Sequence, residues 1–245
     1  VVDRLKYTIV ATLSPFFCSS FFLKPLNPVL GETFEGYFGD GTQFYVEQSS
    51  HHPPVSHYEV YGPNKSYYYC GYSQFSSSAG LNTLYVNNKG KRYMKFKDGV
   101  KFDFDFYDEI FSNSFWGVLK HETTGEVKYT EKQYNVSCNV KIGKQKGMPS
   151  DYIYGEIMVG NKVVSVLRGS YLSHIEFDGV RFWDIRENFP ISVIEKTKNL
   201  PSSALTRLDR KLLEDGKSKE AQEAKEKIEN LQRYDKKLRK DYHKK

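Results

Sequence analysis

Residues 100–106 read VKFDFDF, and this alternation decides the fold class. Successive side chains of a β-strand point to opposite faces, so Val100 and the three phenylalanines share one face, while the lysine and the two aspartates share the other. One apolar and one charged face are typical of a strand that lies between a core and water. The stretch therefore predicts a half-buried strand, and the same period recurs from about Gly31 to Glu187.

Tight-turn signals separate these alternating segments. They are Gly39-Asp40-Gly41, Asp98-Gly99, Gly125 after two threonines, Gly160-Asn161 and Asp178-Gly179. Short strands joined by tight turns, with no helical pattern between them, favour an antiparallel meander. The aromatic content of 16% also favours β structure. Because a long sheet curls to remove its edges, we predict a mainly β (α+β) fold with a complete or nearly complete barrel over residues 31–189.

Helical patterns flank the barrel on both sides. In residues 1–30, an apolar face at helical spacing predicts an amphipathic helix that ends near Ser14-Pro15. In residues 190–245, Leu205 to Leu213 predicts a short helix, with Ser202 or Ser203 as its cap and a stop at Asp215-Gly216. The N-terminal apolar face consists of Val2, Leu5, Ile9, Leu13 and Phe16. We interpret residues 1–245 as a single domain.

A long charged helix is predicted at the C-terminus, where much of the net charge of +6 lies. Residues 216–245 hold 11 Lys+Arg and 6 Asp+Glu, a net of +5. Such a segment is attracted to an anionic membrane, although a solvated helix has the same composition. A narrow apolar stripe, expected to pack on the barrel, consists of Ala221, Ala224, Ile228, Leu231 and Leu238.

The cysteines and the apolar residues indicate in which cellular compartment the protein is expected. Cys18, Cys70 and Cys138 lie far apart, show no metal spacing and cannot all pair within one chain. No apolar stretch approaches the roughly 20 residues that span a bilayer, and no signal peptide is evident. We therefore expect a cytoplasmic protein, and because the sequence opens with Val1 we expect it to be part of a longer one.

The pair His51-His52, followed by Pro53 and Pro54, is the strongest chemical signal in the chain. The prolines push His52 towards extended geometry, where adjacent side chains point to opposite faces and would not meet one metal ion. No nucleophile signature accompanies the histidines. These points favour two interpretations over metal binding and catalysis: imidazoles hydrogen-bonded within a loop, or recognition of a phosphate by imidazole N–H groups.

Three stretches resemble one known family. Residues 47–54 (EQSSHHPP) resemble the signature EQVSHHPP of the oxysterol-binding protein-related lipid-transfer domain, with Ser49 where valine is usual. Residues 24–36 (KPLNPVLGETFEG) are similar to the family's entry to the barrel. LPSSALTRLDRKLLEDG at 200–216 and KEKIENLQR at 225–233 are similar to its C-terminal region.

The resemblance implies an incomplete antiparallel β-barrel that encloses a lipid tunnel, with a helical subdomain beside its mouth. In this family phosphatidylinositol 4-phosphate binds with its acyl chains in the tunnel and its headgroup at the rim. The residues that match the headgroup site are Lys24, Asn27, His51, His52, Lys225, Glu229 and Arg233. Independently of the family, the spacing of the last three places them along one flank of a helix.

We therefore expect a lipid-transfer protein rather than an enzyme, without cofactor or metal. It would exchange phosphatidylinositol 4-phosphate for a sterol or phosphatidylserine between cytosolic membrane faces, in transient contact with anionic membranes or at membrane contact sites. We expect a monomer with no nucleic-acid partner. Two alternatives remain: a phosphoinositide sensor or scaffold without net transport, and a phosphoinositide hydrolase that uses the histidines. Family members also carry an N-terminal lid ahead of the region that Val1 opens.

Overall fold

The computed structural model describes residues 1–19, 26–143, 145–188, 193–195 and 200–242. Within these ranges the helices are α1 (Val2–Leu13), α2 (Phe16–Ser19), α3 (Leu208–Glu214) and α4 (Ser218–Tyr242). The strands are β1 (Thr33–Tyr37), β2 (Gln43–His51), β3 (Pro54–Tyr61), β4 (Tyr67–Ala79), β5 (Thr83–Lys89), β6 (Arg92–Phe96), β7 (Lys101–Phe104), β8 (Asp108–Ser112), β9 (Lys120–Glu131), β10 (Val136–Ile142), β11 (Tyr152–Val159), β12 (Lys162–Ser170), β13 (His174–Phe177), β14 (Val180–Asp184) and β15 (Ile194–Glu195). No helix in the described ranges is both long enough and apolar enough to cross a bilayer.

All the described strands form one antiparallel sheet that runs β14-β13-β12-β11-β10-β9-β7-β6-β4-β3-β2-β1-β15, with β5 and β8 bridging β4 and β9. The outer strands β14 and β15 do not pair with each other, so the barrel is incomplete, as the family resemblance implied. β15 pairs with β1 and lies beyond residue 189, where the sequence analysis ended the barrel. The last strand of the sheet therefore comes from residues 190–245, which the sequence analysis assigned to the helical part.

Helix α1 lies inside the curve of the sheet. Arg4 forms an ion pair with Asp98 in the β6–β7 turn. Two residues further along α1, Lys6 Nζ lies 3.4 Å from Asp178 Oδ2 in the β13–β14 turn. These two turns belong to strands far apart in the sheet order, so the sheet must wrap around the helix to bring both into contact with it.

The core forms between α1 and the inner face of the sheet. Leu5, Ile9 and Leu13 are fully buried, which confirms the predicted apolar face of the N-terminal helix. On β7 the VKFDFDF alternation is also confirmed: Phe102 and Phe104 are buried in this core. The inner residues of the surrounding strands include Val127, Tyr129, Val140, Ile153, Ile157, Leu167 and Ile175.

Gly125 was predicted to be a turn, and this prediction is wrong. It lies inside β9, at the point where that strand changes partner: Thr124 pairs with β8 and Gly125 with β10. Its φ of +119° is accessible to glycine and strained for other residues. A glycine that bends a strand in this way has the same local signature as a turn glycine, which explains the error. The other four turn predictions are confirmed, since each lies between two consecutive strands.

The C-terminal helices differ from the prediction in two respects. Residues 205–213 are not one helix, because Arg207 has extended geometry between a 3₁₀ turn at Ala204–Thr206 and α3. The predicted cap is confirmed, since Ser203 Oγ accepts a hydrogen bond from the Leu205 N–H at 3.2 Å. The apolar stripe of α4 buries Ala221 and Ala224, which lie in the part of the helix that packs on α3. Further along the helix, Leu231 and Leu238 are exposed.

Candidate functional site

The histidine pair sits at the tip of the β2–β3 hairpin. His51 is the last residue of β2 and pairs with Pro54, the first residue of β3, while the register shifts between Gln48 and Ser50. The buried Gln48 side chain fixes this irregularity: its Nε2 donates to the Ser50 carbonyl at 2.6 Å, and its Oε1 accepts from the Ser56 hydroxyl at 2.5 Å. The hairpin therefore holds the histidines in one orientation.

The two imidazole rings lie together rather than on opposite faces. Their centroids are 4.5 Å apart with an interplanar angle of 61°. The predicted separation is wrong because His52 belongs to the turn and not to the extended strand. His51 is half-buried and His52 is exposed, so both rings reach the surface at the tip of the hairpin. Within the described ranges, no group of three or more His, Cys, Asp or Glu side chains could hold a metal ion.

Helix α4 places its charges close enough to act on His51. Burial, the neighbouring His52 and the cations Lys236 and Arg233 all lower the pKa of His51, and these effects outweigh the Glu229 carboxylate, which raises it. This lowering of the pKa favours the neutral form of the His51 imidazole. A neutral imidazole donates one hydrogen bond, and an anion bound beside it would neutralise the cations that act on His51.

The predicted flank of α4 forms a chain of charges. Glu229 lies at its centre, with its Oε1 3.6 Å from Lys225 Nζ and its Oε2 3.1 Å from Arg233 Nη2. Arg233 also donates to Asn230 Oδ1 at 2.8 Å. Lys236 was not predicted as a site residue, although its charge acts on His51. Its spacing of three residues from Arg233 was the signal that could have identified it.

The entry loop is held from the opposite end of the chain. Lys24 lies outside the described residues, and the Asn27 carbonyl accepts a hydrogen bond from Arg207 Nη1 at 2.7 Å. The same Arg207 nitrogen is 2.7 Å from Glu32 Oε2, and Nη2 is 2.5 Å from Asp209 Oδ2. Burial opposes the charge of Arg207, but the two carboxylates outweigh it and raise the pKa of the guanidinium. Sequence analysis missed Arg207, because no local motif predicts that its partner Glu32 lies 175 residues away in the sequence.

A phosphate bound beside the histidines should raise the pKa of His51, because its negative charge favours the imidazolium that burial and cations disfavour. We expect the NMR titration of the His51 ring to move to higher pH when a short-chain phosphatidylinositol 4-phosphate saturates the chain. Binding would then take up a proton near neutral pH. The ring signals of His174, on β13, provide a control and should not respond to the lipid. A His51 pKa that stays constant or falls would contradict phosphate binding at this hairpin.

A family model described as oxysterol-binding protein matches residues 2–197. The chain belongs to the oxysterol-binding protein family. It is 29% identical over 265 residues to oxysterol-binding protein 9 of Dictyostelium discoideum, in an alignment that covers 96% of this chain and 61% of the relative. It is 26% identical over 240 residues to oxysterol-binding protein-related protein 2B of Arabidopsis thaliana, covering 86% of this chain and 34% of the relative. The chain thus spans less than two thirds of the length of these relatives.

Solved structures share the fold over almost the whole chain. The Osh1 ORD domain in complex with ergosterol superimposes with a TM-score of 0.85 at 20% identity, covering 98% of this chain and 68% of that one. The Osh3 ORD of Saccharomyces cerevisiae in complex with PI(4)P superimposes with a TM-score of 0.82 at 21% identity, covering 96% of this chain and 71% of that one. The predicted fold class is therefore confirmed.

Proposed function

We propose that this chain extracts phosphatidylinositol 4-phosphate from a membrane and exchanges it for a second lipid. One observation carries the proposal: the charges of α4 act on His51 at the tip of the β2–β3 hairpin. Two stretches far apart in the sequence would then contribute donors and cations to one rim. The adjacent imidazole rings and the flank of α4 together have the composition of a phosphate site.

Each proposed site residue has a role that its chemistry supports. A phosphomonoester carries up to two negative charges near neutral pH. His51 and His52 would donate directional hydrogen bonds to it, and Arg233 offers a planar fork of donors. Glu229 would orient its two cationic neighbours or accept from inositol hydroxyls. Lys24, Asn27 and Lys225 complete the proposed set, and Lys236 adds a cation that the sequence analysis did not include.

The inner face of the first strands supports an apolar cargo. The rings of Phe34 and Phe44 contact each other with centroids 5.6 Å apart, and those of Tyr58 and Tyr69 do so at 5.2 Å, both pairs in tilted geometry. These four side chains are only half-buried, in contrast to the fully buried residues packed around α1. Acyl chains or a sterol can cover the remaining exposed surface of these aromatic side chains, because such apolar parts of a lipid need no hydrogen-bond partners there.

The complex of the Osh1 domain with ergosterol and that of the Osh3 domain with PI(4)P make these two ligands candidates for this chain. We infer that the second cargo is a sterol or phosphatidylserine. The chain would act in the cytoplasm, as a monomer, at the surface of membranes or at membrane contact sites. The basic segment of α4 would assist the approach to an anionic leaflet.

The proposal is tested with two liposome populations, one that contains phosphatidylinositol 4-phosphate and one that contains a sterol or phosphatidylserine. We expect the phosphoinositide to move faster when the acceptor liposomes supply a second cargo, because the protein then carries a lipid in both directions. Binding without any movement between liposomes would overturn exchange and favour the sensor alternative. Release of inorganic phosphate would instead favour a hydrolase.

A further inference from the structure

Two neighbouring loops expose a patch of apolar side chains, which we name the apolar tip. It comprises Leu81 of the β4–β5 loop and Phe115, Trp116, Val118 and Leu119 of the β8–β9 loop. Leu81 is 88% exposed, Val118 86%, Phe115 63% and Trp116 58%. Single exposed apolar residues are common on proteins, but two aromatic and three aliphatic side chains on adjoining loops form a contiguous patch, which marks an interaction site.

Several backbone groups of the apolar tip are satisfied internally, chiefly by one side chain. Asn82 Oδ1 accepts from the N–H groups of Phe115 and Trp116 at 3.0 and 3.2 Å, and its Nδ2 donates to the Trp116 carbonyl at 3.0 Å. Asn113 Nδ2 donates to the Val118 carbonyl at 2.9 Å. These bonds hold the loop in one shape. They also cap backbone groups that would otherwise need water, which is the condition for entering the apolar part of a membrane.

The charge around the apolar tip fits a lipid bilayer. No charged residue occurs from Gln74 to Asn88 or from Ile110 to Leu119, and the next residue is the cation Lys120. Trp and Phe next to small polar residues are typical of the membrane–water interface, where the indole ring is favoured. The absence of acidic side chains in these stretches avoids repulsion from anionic lipids.

The tip also projects from the end of the barrel that carries the histidines. Val55, beside the β2–β3 turn, pairs with Gln74 in the middle of β4. β4 continues five residues further, to Ala79, and there pairs with β5, which in turn pairs with β8. At about 3.3 Å per residue, the extension carries the tip roughly 17 Å past the histidine hairpin along the strand direction.

We propose that the apolar tip inserts into the interfacial region of a lipid bilayer and anchors the histidine-bearing end of the barrel to it. The inference deepens the proposed function, because it names the surface that docks during lipid extraction. It stands on different residues, however, and membrane insertion can be measured on vesicles that contain no phosphoinositide. Failure of insertion and failure of headgroup recognition are therefore distinguishable.

The test uses the chain with phosphatidylcholine vesicles that carry bromine on their acyl chains. We expect the fluorescence of Trp116 to shift to shorter wavelength and to be quenched by the bromolipids. Trp116→Phe should keep vesicle binding but lose the quenching, since only Trp183 then remains. The double variant Phe115→Ser with Trp116→Ser should bind at least about tenfold more weakly, because two apolar side chains no longer leave water.

The matched control is Tyr134→Ser. Tyr134 is 49% exposed and lies in the β9–β10 turn, at the opposite end of β9 from the apolar tip, so its replacement should leave vesicle binding unchanged. Asn82→Ala should weaken insertion although the apolar side chains are intact, because the loop loses its support. Three results would overturn the proposal: unquenched Trp116 in the presence of bromolipids, equal vesicle binding by the double serine variant, or a dimer in solution that the double serine variant abolishes.

Discussion

Replacing both His51 and His52 with Ala is expected to abolish extraction of phosphatidylinositol 4-phosphate while the chain still unfolds cooperatively. Each hydrogen bond lost to a charged group weakens binding by roughly 1.5–3 kcal/mol, so the double replacement should lower the affinity by about a hundredfold or more. Neither ring belongs to the core, since His51 is half-buried and His52 exposed. Extraction from liposomes, measured beside a thermal melt, separates loss of binding from loss of fold.

His57→Ala is the matched control for the histidine pair. His57 lies on the same hairpin but is exposed and stacks on Tyr72, with ring centroids 5.4 Å apart. Its replacement should leave extraction unchanged. Binding of a sterol should also survive the double replacement, if the sterol does not engage the histidines. Undiminished phosphoinositide extraction by the double variant would refute the assignment of this site.

Replacing Arg207 with Ala should destabilise the folded chain by about 3–5 kcal/mol, because it leaves buried carboxylates without their cation. Asp209 is fully buried and the Glu32 side chain is 11% exposed, so water cannot replace the lost partner. The Asn27 carbonyl also loses its donor, so the entry loop loses one of its links to the C-terminal region. Chemical denaturation measures the change in the free energy of unfolding.

A surface ion pair and a second background provide the controls for Arg207. Lys141→Ala removes a cation 3.4 Å from Glu126, where both side chains are exposed, and should leave the denaturation midpoint nearly unchanged. Arg207→Ala in an Asp209→Asn background should be less destabilising than in the native chain, because the charge of Asp209 is already absent and only Glu32 then loses its cation. If Arg207→Ala unfolds at the same denaturant concentration as the native chain, the network does not hold the entry loop.

Sequence reasoning succeeded where the physics is local. The alternation at Phe102 and Phe104, the cap at Ser203 and the apolar face of α1 each depend on residues a few positions apart, and all are confirmed. It failed where distant parts of the chain decide the outcome. Arg207 breaks the predicted helix in a segment where its side chain reaches Glu32, and Gly125 bends a strand between two different partners.

In the candidate site, too, the sequence predicts local features correctly but not the contacts between distant parts of the chain. The helical spacing of Lys225, Glu229 and Arg233 correctly predicts that they share one flank, since their ion pairs are present. The proximity of α4 to His51 could not be derived from spacing, because it depends on how the C-terminal helices pack beside the hairpin. Their assignment to a headgroup site remains a prediction from the family resemblance.

The packing of α1 against the inner face of the sheet has a consequence for how the chain folds during synthesis. Its side chains contact Met94, Tyr129 and Asp178, which lie 86, 117 and 172 residues later in the sequence. The apolar face of α1 therefore stays unburied until nearly the whole sheet has been synthesised. Such non-local contacts slow folding and prolong the exposure of apolar surface. We expect the nascent chain to depend on chaperones until β13 and β14 have been synthesised.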